Sequence, residues 1–305
     1  MKGVVTRIAY QGWPNCCLVS NGVVELIITT DVGPRLIRFG FPGGNELAEF
    51  PEDLGRTGGD AFLLYGGHRL WHAPESPERT YYPDNASVTL EPMTDGARVI
   101  QPTESTTGIQ KELEISLSPN DPHVRVLHRL RNHNLWAVEL SAWALTAMAP
   151  GGTAVIPLPP RGPHPEHLLP SSSLAVWPYT DLSDPRLTWG RRYIQLRQEP
   201  NRPSPLKIGS SVPDGWTAYV RNDHLFVKSF QHVSGARYPD FGSSCEVFTD
   251  ARMLELETLS PLARVEPGGR VEHVERWFLW RGVPIPSGDD DVDRHILPKV
   301  RQVLP

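Results

Sequence analysis

The sequence predicts an all-β protein built from antiparallel strands, and three observations carry that expectation. Short runs either alternate apolar with polar residues or are apolar throughout and rich in branched side chains. Clusters of turn formers such as "MTDGAR", "SPNDPH" and "EPGG" separate those runs. Thirty-one prolines and 26 glycines break long helices and suit the short elements of sandwiches and barrels.

The strands follow in chain order. "VVELIITTD" (23–31) is a β-branched apolar run closed by "VGP". In "VRVLHRLRN" (124–132), Val124, Val126, His128 and Leu130 share one face, and Arg125, Leu127, Arg129 and Arg131 share the other. "AVELSAWALTAMAP" (137–150) is apolar nearly throughout, as in a strand covered on both faces. "HLFVKSF" (224–230), "RMLELETL" (252–259) and "VEHVERWFLW" (271–280) continue the pattern. Between Pro157 and Gly215 the chain is proline-dense, with one strand expected at "RRYIQLRQ". So long a connection reads as a functional cover, and it carries Trp177, Tyr179 and Trp189, with Trp216 at its end. The tail after Pro284 reads as charged and solvated, with one short helix near Val292–Val300. Residues 1–305 are expected to form a single domain.

Composition narrows the function classes. Charged residues are 21% and hydrophobic residues 39% of the 305, as in ordinary globular proteins. A net charge of -5 with scattered Lys and Arg offers no basic stripe, so nucleic acid is not an expected partner. No eighteen apolar residues run together, so no membrane span is expected, and the N-terminus lacks the apolar core of a secretion signal. Three cysteines, with Cys16 and Cys17 adjacent, make neither a disulfide framework nor a CxxC zinc pattern, which points to the reducing cytoplasm.

Chemistry concentrates in three stretches. "GGHRLWHAPE" (66–75) crowds His68, Arg69, Trp71, His72 and Glu75 beside a Gly-Gly turn, as a cleft wall does. The His68–His72 spacing would suit a metal on a helix, but the flanking glycines and Pro74 oppose helix, and no metal is expected. Extended, the segment points His68, Leu70 and His72 one way and Arg69 and Trp71 the other. The histidines are then either satisfied by neighbouring polar groups or proton donors near neutral pH. In "RMLELETLSPLARVEPGG" (252–269), Glu255 and Glu257 share a face about 6.6 Å apart, with Leu254 and Leu256 opposite. That acidic face belongs either to a solvated edge strand or to a cleft where one glutamate is a general base. "KSFQHVSGARYPDFGSSCE" (228–246) gathers Lys228, Arg237, Tyr238, Asp240 and Glu246, ordinary on a surface and also what a hydroxyl-rich ligand needs. No GxSxG, P-loop or post-strand GxGxxG is present, so triad hydrolysis, nucleotide hydrolysis and dinucleotide redox chemistry are not expected.

Taken together, "VSNGVVELIITTDVGPRLIRFGFPGGNEL", "GGHRLWHAPE" and "LELETLSPLARVEPGGRVEHVERWFL" resemble the galactose mutarotase-like (aldose 1-epimerase-like) superfamily, especially its bacterial branches. The resemblance implies an antiparallel β-supersandwich with a concave sugar-binding face and an epimerase that interconverts sugar anomers without a cofactor. It implies that Arg35 contacts substrate, that Glu257 of "LET" is the general base, and that a histidine, His68 first and His72 second, protonates the ring oxygen. Arg69, Trp71, Glu75, Trp143, Lys228, Tyr238, Asp240 and Glu255 are the expected substrate-binding residues. One departure stands out: Trp143 falls where the family's second histidine is expected, and His133 lies earlier, in a turn. Two alternatives follow, a non-catalytic sugar-binding module and a polysaccharide lyase or glycoside hydrolase on the same fold. A hydrolase needs two carboxylates roughly 5–9.5 Å apart across the bond, which Glu75 facing Glu257 would supply. Every version requires "HRLWH" and "LELET" to meet around one small sugar or oligosaccharide.

Overall fold

Alternating apolar residues along successive strands give each of two antiparallel sheets one apolar face, and those faces close on each other. The structure, a computed structural model, describes residues 4–304. The first sheet runs, in spatial order, Val4–Tyr10, Trp13–Ser20, Glu25–Thr29, Arg35–Gly40, His68–Ala73, Val138–Met148, Leu254–Leu259, Cys245–Thr249, Leu206–Ser210 and Leu174–Val176. A further strand, Ala263–Val265, pairs with Val138–Met148 off this path. The second sheet runs Leu187–Trp189, Tyr193–Arg197, Thr153–Pro157, Trp216–Arg221, His224–Phe230, Arg270–Arg281, His123–Asn132, Ile109–Leu117, Gly96–Ile100 and Thr89–Met93.

Leu26, Ile28, Leu36, Leu70, Leu254 and Leu256 from the first sheet pack on Val124, Val126, Leu130, Phe226 and Trp277 from the second in one continuous core. Each such side chain contributes roughly 1.5–3 kcal/mol of burial. Leu256→Ala would cost about 2–5 kcal/mol, because a packed core closes poorly over a hole. The strand His123–Asn132 follows the expected alternation: Val124, Val126, His128 and Leu130 are buried, while Arg125, Arg129 and Arg131 bind glutamates on the outer face. Val138–Met148 is covered on both faces, with Leu140, Ala142 and Met148 in the main core and Trp143 and Leu145 beneath the outer surface.

The Gly-Gly turn before His68 is required by close approach. Gly66 and Gly67 have φ of +104° and +71°, and a Cβ would fall 2.1 Å from the Ala48 carbonyl oxygen and 2.2 Å from that of Leu36. Only glycine lets the chain enter the sheet there. Two expectations are corrected. The stretch 157–215 supplies the expected strand Tyr193–Arg197 but also Leu174–Val176, Leu187–Trp189 and Leu206–Ser210, so it builds an edge of each sheet. The tail does form short helical turns, but Val292, Ile296 and Val300 are buried beside Trp216, Ala218 and Val220 of the second sheet. Their i, i+4, i+8 spacing makes an apolar stripe that water would not hold. No described helix is long and apolar enough to cross a membrane.

Candidate functional site

Strand register places the site. Across the first sheet, Arg35 pairs with Arg69, Arg69 with Leu145, Leu145 with Glu257 and Glu257 with Glu246. Directly opposed residues share a face, so this row, with the adjacent pair Trp71–Trp143, lies on the face away from the second sheet. A pocket of about 420 Å³ opens over it. Arg69, Trp71, Trp143, Lys207 and Glu255 line it, and Glu75, Tyr81 and Tyr179 stand around them. Asp53, Asp250 and Arg252 also contribute to its lining. A larger hollow of about 860 Å³ lies between Leu158–Arg161, Arg191–Arg192 and Ser287–Asp291. It has no aromatic wall, and its Asp289 and Asp290 already engage Arg192.

Two buried ion clusters form the pocket floor. Arg69 donates to Glu255 at 2.9 Å, and its guanidinium lies 4.1 Å from the centre of the Trp71 ring. Burial raises the Glu255 carboxyl to about 7, with Arg69 pulling it down and Glu257 pushing it up. The second cluster centres on Lys207, whose Nζ is 2.8 Å from Glu246 and 2.9 Å from Glu257. That ammonium lies 4.6 Å from the ring centres of both Trp143 and Trp177. Trp143 Nε1–H donates at 2.7 Å to the same Glu257 oxygen that Lys207 binds. Burial by itself lowers the pKa of Lys207, but its two carboxylates outweigh that and raise it, so it stays charged. Burial holds the Glu246 carboxyl well above the ordinary range, against the pull of Lys207. Glu257 is fully buried behind Lys207 and Trp143, and its second oxygen has no hydrogen-bond partner among the described residues. At the rim the Tyr81 hydroxyl donates to Glu75. Tyr81 and Tyr179 are 37% and 45% exposed, whereas Trp71 and Trp143 are buried beneath them.

The "HRLWH" and "LELET" segments therefore meet, but through Arg69 and Glu255. His68 and His72 are on the other face of the sheet, and the expected pairing of His68 with Glu257 across a substrate is corrected. Leu70 explains the placement: it shares their face and belongs to the core. His68 Nδ1 is 2.8 Å from the Thr146 hydroxyl and its Nε2 is 2.7 Å from His128 Nε2. His128 Nδ1–H donates to the His273 carbonyl, so its Nε2 accepts from His68 and both rings are neutral. Burial lowers the pKa of both, in agreement. His72, fully buried, lies 3.6 Å from Glu104, which Lys111 holds at 2.5 Å. His68, His128 and Glu275 bring three ligand-capable atoms within 4.8 Å of one another. The Lys228 ammonium is 2.8 Å from Glu275, however, and opposes a second cation there.

Four further expectations shift. Arg35 is fully buried, donating to the carbonyls of Leu64 and Gly66 and to Asp84, so it ties down the loop before the Gly-Gly turn. Lys228 projects from the second sheet into the interior, donating to the Leu256 carbonyl and Glu275. Tyr238 is buried against His232, its hydroxyl accepting from the Val233 amide, and with Asp240 it lies outside the pocket lining. Glu75 shares the pocket with Glu255, not with the enclosed Glu257. Lys207 was missed by sequence reasoning. Its signal was a lone lysine inside the apolar strand "LKIGS", which cannot stay charged when buried without a carboxylate.

The geometry defines a class: a two-sheet antiparallel supersandwich with an aromatic-rimmed, acid-rich pocket on the outer face of one sheet. More particularly, the fold is the galactose mutarotase-like fold. A candidate aldose 1-epimerase from Klebsiella pneumoniae superposes with a TM-score of 0.62 at 12% identity, over 99% of this chain and 87% of that one. A galactose mutarotase-like protein from Clostridium acetobutylicum gives 0.55 at 12% identity, over 92% and 99%. Another galactose mutarotase-like protein, from Lactobacillus casei, gives 0.55 at 9% identity, over 87% and 100%. No family model and no curated protein matches the sequence.

Proposed function

We propose that the pocket binds a sugar by its reducing-end ring and interconverts its anomers by acid–base ring opening, with a carboxyl group in place of histidine. One observation carries the proposal: Glu255 lines the pocket beside Arg69, and burial raises its carboxyl to about 7. At neutral pH such a group exists in both protonation states, which suits a catalyst that both gives and takes a proton. In the reaction the neutral Glu255 carboxyl gives its proton to the ring oxygen while its other oxygen takes the anomeric proton. The C1–ring oxygen bond breaks, the C1 carbonyl forms, rotation about C1–C2 follows, and reclosure by the reverse transfer delivers the other anomer. In this reading Arg69, Glu75 and Tyr81, which line the pocket, bind hydroxyls, and the partly exposed rings of Tyr81 and Tyr179 offer stacking planes. Glu257, which matches the family's base, acts from beneath by raising Glu255. The chemistry calls for no cofactor, and the three free, buried cysteines suit a cytoplasmic protein.

The test is anomer exchange followed by NMR or polarimetry across several aldoses, with wild type and Glu255→Gln. Acceleration by wild type and its loss in the variant is the expected result. A second reading, a binding module without turnover, is favoured by the absence of any histidine from the pocket lining among the described residues. Under that reading Glu255→Gln and wild type both bind sugar and neither accelerates exchange.

A further inference from the structure

A turn beside the pocket holds an aromatic side chain that serves neither core nor turn. Phe241 is 89% exposed. It and Asp240 before it both adopt left-handed backbone conformations, with φ of 59° and 49°. Left-handed backbone is uncommon for a residue other than Gly, Asn or Asp, and for a bulky side chain it is a genuine outlier. Glycine, asparagine or aspartate would make this turn at lower strain, and a polar residue would leave less apolar surface in water. Strain retained in this way is a pointer to binding.

The surroundings say what would bind. Phe241 and Asp240 form one side of a hollow of about 150 Å³, and Ala175, Val176, Trp177 and Pro178 form the other. Two aromatic residues and an aspartate lining one hollow suit the C–H face and hydroxyls of a sugar ring. The hollow adjoins the main pocket through Trp177, whose ring centre is 4.6 Å from Lys207 Nζ on the pocket floor. Tyr179, two residues further on, lines the main pocket itself.

We propose that the Phe241 hollow is a second sugar subsite, and that the ligand is an oligosaccharide with a free reducing end, its terminal ring in the main pocket and the next ring against Phe241 and Trp177. The inference rests on the reading of the main pocket as a sugar site.

The experiment titrates the full chain by calorimetry with glucose, galactose and their reducing disaccharides maltose, cellobiose and lactose. At least one disaccharide is expected to bind about tenfold more tightly than its reducing-end hexose. Phe241→Ala should abolish that advantage while hexose affinity stays within twofold. Phe241→Gly should abolish it too and raise the thermal midpoint, since it relieves the turn. If hexoses bind but no disaccharide binds more tightly, or Phe241→Ala keeps the advantage, the subsite is overturned and the sugar pocket stands. A change in sedimentation on Phe241→Ala with the advantage intact would overturn it in favour of a contact between chains. No binding by any sugar would sink both.

Discussion

Replacing Lys207 with methionine tests the pocket floor most directly. Methionine keeps the packing between Trp143 and Trp177 and removes the ammonium between Glu246 and Glu257, both fully buried. Removing one member of a buried ion pair typically costs about 3–5 kcal/mol. Protonation offers an escape that sets the ceiling. Neutralising one ordinary glutamate at pH 7 costs about 1.4 kcal/mol for each of roughly 2.7 pH units, or about 3.7 kcal/mol. At pH 5 the same step costs about 1 kcal/mol. The expected deficit is therefore about 4 kcal/mol at pH 7 and about 1 kcal/mol at pH 5. With an unfolding entropy near 2.1 cal/mol/K per residue, the former lowers Tm by roughly 6 °C. Glu246→Gln is the control. Burial raises this carboxyl well above its unfolded value, so its contribution to stability is complete below the ordinary carboxylate range and is lost as pH rises through the raised value. The glutamine keeps an oxygen that accepts from Lys207 and removes a carboxylate whose charged form burial already disfavours, so it should cost less than Lys207→Met at pH 7. Thermal and urea unfolding of both variants at the two pH values measures this. A Lys207→Met deficit under about 1 kcal/mol at pH 7, or one unchanged at pH 5, would refute the reasoning.

Three other outcomes are expected. If neutral Glu255 donates the proton, the anomer exchange rate falls as pH rises through about 7, and Glu255→Gln loses 10²-fold or more with sugar affinity nearly kept, as rate profiles from pH 5 to 9 would show. His68→Ala should cost about 2–4 kcal/mol through a cavity and lost hydrogen bonds to Thr146 and His128, yet leave sugar affinity within twofold; a selective loss of affinity in a stable variant would place His68 in the pocket after all. Trp143→Phe removes the indole donor to buried Glu257 and should cost about 1–3 kcal/mol by denaturant titration, while Trp71→Phe, whose indole nitrogen has no such partner among the described residues, should cost less.

Much of the fold was legible because strand signals are local. The two-residue period of "VRVLHRLRN" and the double-sided apolarity of "AVELSAWALTAM" needed no tertiary information, and both strands appear where expected. The edges within 157–215 were harder. Three-residue strands such as Leu174–Val176 and Leu187–Trp189 are too short to show a period and exist because a longer neighbour pairs with them. The tail helix was visible, but its burial was not, since the surface it covers is assembled from distant strands.

For the site, the sequence by itself determined which chemistry is present and which side chains travel together. Alternation put His68, Leu70 and His72 on one face and Arg69 and Trp71 on the other, and set Glu255 and Glu257 opposite Leu254 and Leu256. Only the tertiary structure decided which face meets the second sheet and which meets the ligand. Periodicity is unchanged when a strand is turned over, whereas the leucine-bearing face must enter the core to leave water, and it carries both histidines inside with it. The Lys207–Glu246–Glu257 cluster was likewise decided by folding, because 39 and 50 residues separate the lysine from its carboxylates and strand pairing alone brings the charges within 3 Å of each other.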